Sequence, residues 1–158
     1  MEEPSGKGTE NSNYAVVASV LTIVSGALVL LLMTTDVLYS FPTWTELASN
    51  ASMFKIFLSS LISRTMGGLL IGVVAIFGGA MVLAKKNLIF GVIGAAIPLG
   101  SSLYSTLYYA MLVSTGLITI ELSSVQDYLE FLLQPSILVL SILAVVFFVS
   151  SRKSNVFV

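Results

Sequence analysis

The chain contains no cysteine and no histidine. Their absence excludes thiol chemistry, disulfides, histidine metal sites and histidine-ligated haem. A metal or haem would have to use Met, Tyr or carboxylates. Charge is scarce too: only 9% of residues are Asp, Glu, Lys or Arg, against roughly 25% in a soluble domain. The formal net charge is −1, so no basic surface is offered to nucleic acid. No paired carboxylates fall in an apolar run, no nucleophile has a base at a telling spacing, and no glycine-rich phosphate loop links a strand to a helix. Nothing in the sequence points to a catalytic centre or a bound cofactor, and the expectation is a non-enzyme.

What fills the chain is apolar. Hydrophobic residues make up 56% of 158, and mean hydropathy is +1.00. A soluble domain this small keeps too much surface in contact with water to hide that content. The chain is long enough for one domain. The expected fold is all-α: an integral membrane four-helix bundle.

The runs give its organisation. Residues 1–13 are polar and are expected to form a disordered tail. TM1 is expected over 14–33, long enough to cross roughly 30 Å of hydrocarbon. Its acidic start, with no small-residue cleavage site, suits a retained anchor more than a cleaved signal. Residues 34–52 are expected to form a loop carrying Asp36, Glu46 and the interface-seeking aromatics Tyr39, Phe41 and Trp44. An amphipathic segment over 53–64 places Ser52, Lys55, Ser59 and Ser63 on one stripe. It either lies at the interface or extends the span that follows. TM2 is expected over 65–84, TM3 over 88–115 with Pro98 inside, and TM4 over 135–151. A loop near 116–123 precedes a short amphipathic helix over 124–133, with Ser124 as its N-cap. Residues 152–158 form the last tail.

Basic residues set the expected orientation. Lys7, Lys85, Lys86, Arg152 and Lys153 fall on one side, and Asp36, Glu46, Glu121, Asp127 and Glu130 on the other, with Lys55 and Arg64 in its helix. The positive-inside rule then puts both termini in the cytoplasm of a multi-pass plasma-membrane protein. Asn50-Ala51-Ser52 is a glycosylation sequon in an outer loop; Asn50 is equally an N-cap for the helix that begins near Met53.

Small residues recur at helical spacing: Ala15, Ser19, Thr22 and Gly26 in TM1; Gly68, Gly72, Ala75 and Gly79 in TM2; Gly91, Ala95, Pro98, Ser102 and Ser105 in TM3. Helices in lipid associate by close van der Waals contact, which small side chains permit. These stripes predict tight contacts among TM1, TM2 and TM3, either within the chain or, at Gly68 and Gly72, with a partner subunit. Arg64 falls at the outer end of TM2. Its stem can snorkel, it can pair with Asp36 or Glu46, or it can recognise an ion or substrate. Ser101, Ser102, Tyr104, Ser105, Thr106, Tyr108 and Tyr109 cluster in TM3. They either bond their own helix and mark the interface, or line a polar cavity or hold a quinone head or lipid. Glu121, Asp127 and Glu130 are expected on a solvated face.

The stretch GGLLIGVVAIFGGAMVLAKKNLIFGVIGAAIPLGSS, residues 67–102, resembles small uncharacterised prokaryotic four-helix membrane proteins in which a glycine-rich hairpin with a basic turn joins TM2 to TM3. The TM1 segment VVASVLTIVSGALVLL is similar in style. The resemblance implies four spans and no particular activity. The function these features suggest is a non-catalytic accessory or scaffolding subunit, packed among lipids and other integral membrane subunits of a respiratory or other envelope complex. The alternative is a small homo-oligomeric transporter or channel with the TM3 hydroxyl face along its path.

Overall fold

The computed structural model describes the backbone of residues 7–47, 50–84, 87–116 and 125–152, with side chains at 13–40, 50–84, 87–116 and 127–151. The chain is all-helical there, with α1 at Lys7–Leu47, α2 at Ala51–Leu83, α3 at Leu88–Ser114 and α4 at Val125–Arg152. Each contains a stretch long and apolar enough to cross a membrane, of 28, 33, 27 and 25 residues in chain order. The protein is a multi-pass membrane protein by that measure.

The helices run further than polarity suggests. α1 begins at Lys7, inside the expected tail, and continues to Leu47, through most of the expected first loop. Once a helix is nucleated, each further residue adds one hydrogen bond. Hydroxyls on this extension bond back to carbonyls one turn earlier: Thr34 to Leu30, Thr35 to Leu32 and Ser40 to Asp36. The two short outer helices are not separate elements. Residues 53–64 are the first turns of α2, and 125–133 are the first turns of α4, which passes Pro135 without a break. The expected cap Ser124 and the Lys85–Lys86 turn lie outside the described residues.

Boundaries that depend on local chemistry fall where that chemistry sits. Asn50 caps α2, its side-chain oxygen accepting from the Met53 amide at 3.2 Å. Asn87 caps α3 by accepting from Ile89 at 2.8 Å. After α3, Gly116 takes a φ of 68°, the left-handed turn that glycine enters without a side-chain clash.

The four helices form a ring in chain order, with α1 and α3 also touching across it. Among the described residues α2 and α4 do not meet, so α1 and α3 lie on the short diagonal. One end of the bundle holds the start of α1, the end of α2, the start of α3 and the end of α4; we call it the terminal end. Here the core is small. Ala15, Ala18, Ala75, Ala95 and Ala144 are buried, with Phe148 filling the centre. Tyr14 stacks on Phe147 at 5.8 Å between centroids.

The closest approaches use glycine. A Cβ on Gly72 would lie 2.6 Å from Leu30 and 3.0 Å from the Gly26 carbonyl. One on Gly78 would strike the Phe90 carbonyl and come within 2.9 Å of the Gly94 Cα. Backbone therefore meets backbone between α1 and α2 and between α2 and α3, the arrangement by which helices gain dispersion energy in lipid.

Candidate functional site

Toward the opposite end the helices part. A cleft of about 590 Å³ opens between all four of them. Its floor is apolar: Val29, Leu32 and Met33 from α1, Ile71 from α2, Ile137 from α4, and the buried ring of Pro98 from α3. Proline cannot donate to the carbonyl four residues earlier, here that of Gly94, so the α3 backbone is locally unbonded where it passes the floor.

Two polar pairs form the rim. Asp36 on α1 and Arg64 on α2 lie 3.5 Å apart. Their exposures differ: the arginine side chain is 69% accessible and the aspartate 16%. The guanidinium therefore leans out while the carboxylate stays inside the mouth. Across the cleft the Tyr109 hydroxyl on α3 donates to Glu130 on α4 at 3.2 Å. Deeper in, the Ser102 hydroxyl donates to the Gln134 carbonyl at 2.9 Å, a second tie between α3 and α4. Asp36, Arg64, Tyr109 and Glu130 all line the same cleft.

Depth follows from helix rise. Gly79 packs on Ser19 near the terminal end, and Asp36 lies 17 residues further along α1, roughly 25 Å at about 1.5 Å per residue. The floor thus sits within the apolar spans and the rim near one boundary of them.

Six of the small residues singled out by spacing in TM2 and TM3 are placed as follows. Gly72, Ala75 and Gly79 are buried against α1, and Gly91 lies between Val82 and Phe148. Ala95 is fully buried in the core. Gly68, half-buried, sits under the Met33 side chain and lines the cleft. Arg64 meets Asp36, one of its two expected partners; Glu46 lies in the last turn of α1, and its side chain is outside the described residues. Asn50 is exposed and engaged as a cap.

The TM3 hydroxyls divide. Thr106 bonds back to Ser102, while Ser101, Ser102, Tyr104, Ser105, Tyr108 and Tyr109 line the cleft. Glu130 departs from the solvated face expected of it: it is half-buried on the cleft wall. The signal was present in α4. Glu130, Gln134, Ile137, Ser141, Ala144 and Phe148 recur every three or four residues, so an inward stripe continues upward into polar residues. Among the described residues no three carboxylates gather closely enough to hold a metal ion.

The chain matches no family model, no curated protein and no solved structure. The cleft is therefore read from its own chemistry: an apolar floor under a charged, hydroxyl-bearing rim.

Proposed function

We propose that the protein is a non-catalytic component of the plasma membrane, with both termini in the cytoplasm, whose cleft receives an amphiphilic molecule from the outer leaflet. The observation that carries this is the cleft itself. Its volume, about 590 Å³, falls within the roughly 300–1,000 Å³ of small-molecule sites. Its polarity gradient matches a molecule with a polar head and an apolar body. The orientation rests on the positive-inside reading of Lys7, Lys85, Lys86, Arg152 and Lys153 in the sequence. A carrier of the small homo-oligomeric kind is the role that such a site suits best.

Native mass spectrometry of the protein released from its own membrane tests the reading. The expected result is a co-released amphiphile, about one per chain. Gly67 lines the cleft, and a Cβ added there has no neighbour within 4 Å. Gly67→Phe should fold normally and lose that companion. Wild-type protein released bare, or Gly67→Phe retaining the same adduct, would refute the proposal.

An accessory subunit of a respiratory or other envelope complex is the second reading. It draws on the four long apolar helices, whose lipid-level faces offer a broad contact surface. The small-residue stripes lend it less support, because Gly72, Ala75, Gly79 and Gly91 are buried within the chain's own bundle. Cross-linking in mild detergent distinguishes the two: stoichiometric larger subunits linked through Lys55 favour the accessory role, and a chain that runs alone favours the carrier.

A further inference from the structure

We propose that the cleft selects lipophilic organic cations, molecules with an ammonium-type head on an apolar body. This rests on the reading of the cleft as a binding site. The first ground is charge. Among the described lining residues the acidic and basic side chains are Asp36, Glu130 and Arg64, so the carboxylates outnumber the cation. The one guanidinium already faces Asp36 at 3.5 Å and is 69% accessible. An anionic head would have to displace Asp36 and accept Glu130 as a neighbour. A cationic head meets both carboxylates favourably, at a depth where the surrounding dielectric weakens attraction less than water does.

The second ground is aromatic and independent of the first. Three tyrosine rings line the same wall. Tyr104 and Tyr108 are stacked at 6.2 Å between centroids and 11° between planes. Tyr108 and Tyr109 meet edge to face at 6.4 Å and 71°. Ring faces carry negative quadrupole density and attract a cation that comes within about 6 Å of the centroid, the more so when both are desolvated. An anion gains nothing from those faces. The Tyr109 hydroxyl donates to Glu130, which fixes the position of the carboxylate beside the rings. The head therefore belongs between Glu130 and the tyrosine wall, and the apolar body on Leu32, Ile71 and Ile137.

The test uses the full chain in phosphatidylcholine nanodiscs and equilibrium dialysis, with empty discs subtracted. The probes share a ten-carbon chain: decyltrimethylammonium, decyl sulfate and uncharged decyl glucoside, each below its micellar concentration. The expected order is cation, then glucoside, then sulfate, with about tenfold or more between the extremes, equivalent to about 1.4 kcal/mol. Glu130→Gln should weaken the cation about tenfold, with an unchanged elution volume and helical circular-dichroism spectrum showing that the variant is folded. Tyr108→Leu should weaken the cation about threefold, the size of an aromatic contribution at a partly exposed site. Equal or tighter binding of the sulfate by the wild type overturns the cation preference and leaves the amphiphile site standing. Unchanged cation binding in both Glu130→Gln and Asp36→Asn overturns it as well. Retention of none of the three probes above empty discs brings down the cleft reading and the cation preference together.

Discussion

The two halves of the bundle are built from the same four helices yet follow opposite rules. Toward the terminal end, glycine and alanine bring backbones into contact, and Phe148 fills what remains. Toward the other end, methionine, tyrosine and charged side chains hold the helices apart around a cleft. The difference teaches where the stability of such a bundle resides. Lipid is as apolar as leucine, so burying leucine within the bundle gains little, and only close contact distinguishes the folded arrangement from separated helices. The tight half supplies that contact. The open half is then free to carry charge and unfilled volume without endangering the fold.

Substitutions can break that contrast. The largest effect is expected from Gly78→Leu, because the added atoms meet Phe90 and Gly94 backbone, which cannot turn aside. It should cost about 3 kcal/mol, the upper part of the overpacking range, read as early aggregation in a thermal-shift assay by size exclusion. Phe148→Ala leaves a void in the terminal half; with the water-transfer part absent, the void itself should cost about 2 kcal/mol. Ser141 has the reverse sign. Its hydroxyl is fully buried and, among the described residues, lacks a hydrogen-bond partner, so Ser141→Ala should stabilise by about 1 kcal/mol. At the rim, Arg64→Ala removes an exposed ion pair and should shift stability by less than about 1 kcal/mol. Gly67→Leu should be smallest, within about 0.5 kcal/mol. A loss at Gly67 as large as that at Gly78 would erase the distinction between the halves.

Much of this plan is legible in the sequence. The four apolar runs mark the four helices, and the spacing of Gly72, Ala75 and Gly79 marks the side of α2 that faces α1. The ends of the elements are not legible in the same way. Thr34, Thr35 and Ser40 read as loop by polarity, yet their hydroxyls are satisfied by their own helix. Polarity reports solvent, whereas helix continuation depends on the backbone. The cleft was partly visible in the TM3 hydroxyls, whose two readings differ only in which way the helix is turned. Rotation is set by the neighbouring helices, and the TM3 sequence alone does not contain it. Arg64 had two acids within the same nearby segment, and the uninterrupted α1 brings Asp36 to it. Glu130 was hidden because its neighbours Glu121 and Asp127 suggest water, while its inward stripe emerges only when α4 is followed past Pro135.

The lengths of the spans carry one more consequence. At about 1.5 Å per residue, stretches of 25 to 33 residues measure roughly 37–50 Å, against about 30 Å of hydrocarbon in an average bilayer. Such helices lean when the membrane is thin, or draw the lipid up around themselves, and each ångström of mismatch costs a fraction of a kcal/mol. Bilayer thickness therefore bears first on the rim, where Asp36, Arg64 and Glu130 sit toward one end of the helices.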